Sequence, residues 1–313
     1  GGRAVTPVKL FVIGCATLVF AVSASVTLMI IRSQGTDLPE GTVVDLRVPS
    51  GAAMLGIATQ LSRADLIDHP RIFATYVRLK GAESELKAGH YRLTAGTSYR
   101  DILETLRAGS VVTYPLTIPE GLTIREVARR LAEFTKAPID SVQMFLNDST
   151  RVTEFGLPGP TLEGYVFPET YRFAEDVGLR TILSTIVDRY HEFWGVPERD
   201  KAAAIGLNER EAVTLASIVE EEASVASERG IIAGVYLNRL EIKMLLQADP
   251  TVQYALGEPK ARLLYRDIDA VADHPYNTYT QPGLPPGPIA SPGEASLRAT
   301  LQPAQHDYLF FVA

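Results

Sequence analysis

The longest apolar run opens the chain: Leu10 to Ile31 reads LFVIGCATLVFAVSASVTLMII without one charged residue. At ~1.5 Å per helical residue this covers about 33 Å, enough for the hydrocarbon layer of a bilayer. Ala21-Val22-Ser23-Ala24 has the look of a signal-peptide cleavage site, but the apolar run continues past it to Arg32. The pattern therefore predicts a retained single-pass helix. Arg3 and Lys9 precede the span, while Asp37, Glu40 and Asp45 soon follow Arg32. That asymmetry places residues 1–9 in the cytoplasm and the body on the exported side. Residues 32–41, RSQGTDLPEG, form a polar linker.

After the linker one pattern occurs three times, in VPSGAAMLGIATQL, RLTAGTSYRDILETL and TIPEGLTIREVARRL. Each has a glycine followed at helical spacing by apolar residues: Met54, Ile57 and Leu61; Tyr99, Ile102 and Leu106; Ile124, Val127 and Leu131. Strand-forming residues precede each glycine, at Val44–Val48, Tyr91–Leu93 and Tyr114–Ile118. The unit is strand, glycine turn, short helix, with Ser98 and Thr123 as caps. It is similar in shape to half of a LysM module, a fold that binds N-acetylglucosamine glycans. A recurrent packing solution without sugar binding would leave the same pattern. Further on, Thr181–Trp194, Arg210–Ala226 and Ile231–Leu240 read as amphipathic helices. Residues 245–293 hold too many Pro and Gly for a succession of regular helices, yet carry Tyr254, Tyr265, Tyr276 and Tyr279, which fits ordered loops around a groove. The fold class expected is α+β: a transmembrane helix (10–31), a LysM-like α/β subdomain (42–112) and a larger mixed α/β domain (113–313).

Composition narrows the function. With 46% hydrophobic and 21% charged residues the body is globular. A net charge of −7 gives no basic footprint for nucleic acid. The single cysteine, Cys15, allows neither an intrachain disulfide nor a cysteine metal cluster, and the five histidines show no metal-site spacing. No Ser-His-Asp order, P-loop or dinucleotide fingerprint is present, so neither metal nor cofactor is expected.

Chemistry concentrates in SIVEEEA, residues 217–223. At helical spacing Glu220 is ringed by Ala216, Ser217, Ala223 and Ser224, which leaves room for a bulky ligand beside a carboxyl that the walls can desolvate. Both properties suit a general acid. Glu221 points elsewhere, toward solvent. Glu222 shares the side of Leu215, Ile218 and Val219, where Arg229 or Arg239 could partner it. A plain solvated helix end is the more ordinary reading of such a triplet.

Several stretches, in order, extend the picture: LEGYVFPETY (162–171), LASIVEEEASVASER (215–229), VYLNRL (235–240), LQADPTVQY (246–254), YNTY (276–279), GLPPGPIASPG (283–293) and YLFFVA (308–313). Through these the chain resembles the endolytic murein transglycosylase, or YceG-like, family. The resemblance implies that the glutamate after Ser-Ile-Val, Glu220, is catalytic and that Glu221 is a bystander. It implies a membrane-anchored enzyme of the inner membrane that cuts nascent peptidoglycan strands between N-acetylmuramic acid and N-acetylglucosamine. Glycan strands, the membrane and peptidoglycan synthases would be its partners. A non-enzymatic peptidoglycan-binding scaffold and a hydrolytic muramidase are the rival functions. The family pattern continues past Ala313, and the chain begins Gly-Gly, so it reads as trimmed. Secondary candidates are Gln247 and Asp249 for orienting the glycan, Asp249 being equally placed to cap a turn. Asn277 offers a donor and acceptor for an acetamido group, and Tyr276 and Tyr279 offer stacking faces, with a packed polar loop as the alternative. Glu163 either meets substrate or, the preferred reading, ties two segments together through an arginine; Glu222 is a supporting residue.

Overall fold

The structure is a computed structural model and describes residue 17 and residues 38–260 and 262–312. The expected span Leu10–Ile31 lies, apart from Thr17, outside the described residues. Among the described residues no helix is long and apolar enough to cross a membrane. The fold is mixed α/β with two small sheets, divided into two compact units: one within Gly1–Tyr114 and Ala174–Asp176, the other within Pro115–Phe173 and Val177–Ala313.

In the first unit β1 (Val43–Val48) pairs antiparallel with β2 (Gly89–Thr94), Leu46 opposite Tyr91. Helices α1 (Met54–Arg63), α2 (Pro70–Leu79) and α3 (Tyr99–Ala108) supply Ile57, Leu61, Phe73, Ile102 and Leu106 to the core. The first two glycine-turn units thus bury Ile57, Leu61, Tyr99, Ile102 and Leu106, while Met54 is half-buried against the same core. α3 begins at Ser98, whose Oγ accepts from the Asp101 N–H, and stops at Gly109 in the left-handed region.

The second unit holds the site. β3 (Thr113–Ile118) pairs with β4 (Glu169–Ala174). β4 is not among the sequence-based expectations, although ETYRFA alternates Tyr171 and Phe173 inward with exposed Thr170 and Arg172. α4 (Ile124–Thr135) starts with a capping box: the Glu126 N–H donates to Thr123 Oγ1 while the Thr123 N–H donates to Glu126. α5 (Ile139–Asn147), α6 (Ser149–Glu154), α7 (Leu179–Phe193) and α8 (Val196–Ala204) follow. Then come α9 (Glu209–Glu222), α10 (Arg229–Glu241) and, last, α13 (Glu294–Leu301), after the two short helices named below.

α9 is the central element. Every residue from Ala212 to Val219 is buried. Ala212, Val213 and Ala216 face a core with Val127, Ile186 and Trp194; Leu215, Ile218 and Val219 face another with Ile232, Tyr236 and Leu246. The expected amphipathic helix over 210–226 is therefore buried on both flanks, and it ends at Glu222 because Ala223 turns to extended backbone. Small and β-branched residues suit a helix packed from two sides.

The Pro/Gly-rich stretch departs from expectation in containing two short helices, α11 (Asp249–Leu256) and α12 (Tyr265–Ala270). Pro250 sits in the first turn of α11, where a missing N–H is no loss. Turns fill the rest, and Asn277 organises them. It is fully buried; its Nδ2 donates to the Ile268 and Val271 carbonyls at 3.0 and 3.1 Å, and its Oδ1 accepts from the Tyr279 N–H at 3.0 Å. The expected contact with an acetamido group is thus replaced by an architectural role, since both amide hydrogens are already engaged. Asn277→Ala strands two carbonyls and one N–H, which costs about 3 kcal/mol. Its melting temperature should fall by roughly 5–10 °C in a thermal scan; an unchanged value refutes the architectural role.

Candidate active site

α9 delivers Glu220, Glu221 and Glu222 to its last turn, where there is no basic residue. Negative charge at the carbonyl end of a helix is unfavourable by roughly 0.3–1 kcal/mol per group. The three therefore need help, and each finds a different kind. Glu220 accepts from Arg229 Nη2 at 3.3 Å through one oxygen and from the Gly293 N–H at 2.9 Å through the other. Its side chain is 8% exposed and that of Arg229 15%. Arg229, the first residue of α10, is aimed by Ser296 of α13, whose Oγ accepts from Nε at 2.9 Å. The carboxyl of Glu220 therefore sits where the end of α9 meets the starts of α10 and α13.

Glu222 accepts from the Tyr236 hydroxyl at 2.9 Å. Among the described residues no arginine hydrogen-bonds to Glu222: Arg229 has turned to Glu220, and Arg239 donates to the Leu309 and Leu246 carbonyls and reaches Glu222 only through its charge. Burial pushes the Glu222 carboxyl up, Asp249 adds to this, and the Tyr236 bond and Arg239 offset it. Glu221 is exposed overall, as expected, but its carboxyl is not simply solvated. It folds over Gly121, with Oε1 2.8 Å from where a Cβ on that glycine would stand. Lost hydration, then the charges of Glu220, Glu126 and Glu222, push it up to about 7.

Contacts with two neighbouring segments complete the cluster. Ser217 Oγ accepts from the Ile289 N–H at 3.0 Å and fastens the 286–293 segment to α9. Gly121 and Leu122 pair with Ser291 through two backbone hydrogen bonds, Gly121 N–H to Ser291 O and Ser291 N–H to Leu122 O, each 2.9 Å. This brings Glu120 against Gly293. The Glu120 carboxyl is raised by loss of water and then by the charge of Glu220, with Arg229 offsetting. The sequence signal for Glu120 was an exception: among the glycine-turn units VPSG, LTAG and IPEG, only the third carries an acid before its glycine.

The remaining candidates form a neighbouring group. The Tyr279 hydroxyl donates to Asp249 at 2.5 Å, so Asp249 serves that pair and caps no turn. The Gln247 N–H donates to the Thr278 carbonyl, with Gln247 exposed in the left-handed region at φ 50°. Tyr276 packs on Tyr254 with ring centres 4.8 Å apart. The charge of Asp249 reaches Glu222 and links this group to the end of α9. A cavity of about 550 Å³ lies elsewhere, between Gly206, Gly234, Asn238, Pro303 and His306, and contains none of these carboxyls.

A carboxyl group at a helix end, gripped by a guanidinium and a backbone N–H with a second carboxyl beside it, defines a protein equipped for acid–base work on a bound substrate. The YceG-like family pattern matches residues 46–313, and the chain belongs to that family. It is 36% identical to the endolytic murein transglycosylase of Bacillus subtilis (strain 168), over 87% of this chain and 79% of that protein. A Streptococcus pneumoniae protein of the same name is 30% identical over 86% of this chain, which spans 54% of that relative's length. Among solved structures, a yceG-like protein from Listeria monocytogenes superposes with a TM-score of 0.59 at 33% identity, covering 87% of this chain and 93% of the other.

Glu163 stands apart, 2% exposed. It does tie two segments together, but without an arginine: it accepts from the Ile124 N–H at 2.8 Å and the Tyr254 hydroxyl at 3.1 Å. Burial raises it to about 8 against those two bonds. A raised carboxyl contributes stability that is complete below its unfolded value and is lost as pH rises through the folded value. Wild-type unfolding free energy should therefore decline between about pH 5 and pH 8, by at most about 1.4 kcal/mol per unit from this group. Glu163→Gln keeps a neutral acceptor there and should flatten that decline. Denaturant unfolding at pH 6 and pH 9 checks it; parallel pH slopes for the two proteins contradict a neutral Glu163.

Proposed function

We propose that this chain is a membrane-anchored lytic transglycosylase that cleaves nascent peptidoglycan strands between N-acetylmuramic acid and N-acetylglucosamine, leaves 1,6-anhydro ends and so terminates strand elongation. The observation that carries the reading is Glu220, enclosed at the end of α9 with Arg229 on one oxygen and the Gly293 N–H on the other. Family membership and the names of the relatives support the same substrate.

The geometry accounts for the two halves of the reaction. Glu220 first gives its proton to the glycosidic oxygen as the bond to C1 breaks. The carboxylate so formed is the state that Arg229 and the Gly293 N–H stabilise, since both donate hydrogen bonds. That carboxylate then takes the proton of the muramic acid 6-hydroxyl while its oxygen bonds to C1. The proton balance returns to its start, and no water is consumed. A hydrolase with two flanking carboxylates would instead deliver water to C1.

In the same proposal, Leu10–Ile31 anchors the chain in the inner membrane with the body on the exported side, near newly made strands and the synthases that extend them. The glycine-turn units before residue 112 would add LysM-like contact with the glycan, and Tyr276 and Tyr279 stacking faces.

The test is mass spectrometry of glycan ends after incubation of strands with the full chain. Anhydro ends are expected, and Glu220→Gln should lower their formation at least about a hundredfold with folding intact. Glu222→Gln, which keeps an acceptor for the Tyr236 hydroxyl, should retain cleavage. The reverse pattern moves the acid to the other face of α9. Reducing ends would establish a muramidase, and absence of any fragment a scaffold.

A further inference from the structure

Gly293 is a glycine for which its own backbone gives no reason. Its φ of −71° and ψ of 162° are open to any residue at the start of a helix. What occupies the place of a side chain is Glu120: a Cβ on Gly293 would lie 1.9 Å from Glu120 Oε1 and 2.1 Å from its carboxyl carbon, so any side chain there would displace that carboxyl. The same residue's N–H holds Glu220 Oε2 at 2.9 Å. Two carboxyl groups from distant segments therefore close on one residue, and the sequence leaves room for the second.

We propose that Glu120 is a positioning residue of the reaction, its carboxyl forming with that of Glu220 a pair across Gly293 that keeps one proton at the site. The proposal rests on Glu220 being the acid. Two carboxyl groups sharing a site do not ionise independently; the protons belong to the pair. Arg229 compensates one negative charge, so the pair with one proton and the guanidinium is neutral, whereas full ionisation leaves a net negative site. The donors are unevenly shared. Both Arg229 and the Gly293 N–H serve Glu220, while among the described residues no hydrogen bond reaches Glu120. The raised Glu120 carboxyl agrees with this division. When the bond is cut the shared proton stands on Glu220, and the nearby Glu120 carboxylate favours its retention there. Glu220 lends that proton to the glycosidic oxygen and recovers one from the 6-hydroxyl, so Glu120 acts through its charge alone.

The charged groups around the pair come from four elements. Arg229 enters from α10 and Glu221 from α9 itself. Glu126 of α4 acts on Glu221, as does Glu222. On α13, Glu294 is engaged by Arg298 and Arg189. Removing the Glu120 charge thus leaves Arg229 as the nearest compensating group. A neighbouring negative charge favours retention of a proton, so its removal releases the proton at lower pH.

The experiment is kcat against pH, from 5 to 9, for the full chain acting on glycan strands. Glu120→Gln should move the alkaline limb to lower pH by about one unit, with kcat at pH 5 within about threefold of wild type. Gly293→Ala, which pushes the Glu120 carboxyl aside without deleting it, should move the limb the same way. Glu120→Asp, with its charge on a shorter arm, should fall between. A limb that stays in place in Glu120→Gln, whether kcat is unchanged or uniformly lowered, overturns the pair and leaves Glu120 a structural residue. Failure of the underlying reading has a different signature, namely cleavage that persists in Glu220→Gln.

Discussion

Three carboxylates at the carbonyl end of a helix repel one another and oppose the helix dipole, and α9 cannot relieve this by fraying. Its preceding residues, Ala212 to Val219, are locked between two apolar cores, so the last turn is held in place and the charges with it. The surroundings are best understood as answers to that constraint. Arg229 and the Gly293 N–H meet Glu220, the Tyr236 hydroxyl meets Glu222, and Glu221 leans over Gly121, whose missing side chain makes the space. An arrangement that breaks the rule for helix ends marks a place where chemistry outweighs stability.

The same constraint explains why a segment as rich in proline as 283–293 is ordered. It has few hydrogen bonds of its own to make, and proline supplies no N–H. It is held from both sides instead: Ser217 on α9 takes the Ile289 N–H, and Ser291 exchanges two backbone bonds with Gly121 and Leu122. Gly164, at φ 82°, permits close approach of Pro288, since a Cβ there would lie 2.3 Å from the proline ring. The ordered segment then presents the Gly293 N–H to Glu220.

What was legible in the sequence follows from the range of the interactions. The glycine-turn units, the long helices and the singularity of SIVEEEA are local patterns, and each lies in an element or in the candidate site. Glu120, Ser217 and Gly293 are joined by contacts between distant segments, and each has an unremarkable local context: an acid in a turn, a small residue in a helix, a glycine before a helix. Arg229 was visible as a partner, but helical spacing alone could not say which glutamate it would meet across a chain reversal. Asn277 shows the opposite failure. A polar residue between tyrosines in a turn-rich run has the composition of a binding loop and of a loop that saturates its own backbone; only its burial distinguishes the two.

Glu163 and Glu120 show how one short stretch supports two acids of different character. Glu163 takes the first N–H of α4 from within the core, and desolvation holds it neutral near pH 7, so it can join that helix start to Tyr254 without leaving an uncompensated charge inside. The capping box at Thr123 secures the same helix start from its own sequence. With the start of α4 fixed twice, the preceding residues have little freedom, and Gly121, at φ 76°, turns the chain so that Glu120 projects outward beside Gly293. Glu120 is exposed, and its carboxyl is raised by lost hydration and then by the charge of Glu220, with Arg229 offsetting. A neutral acid buried as a fastener thus allows an acid at the surface to be held where its charge acts on Glu220.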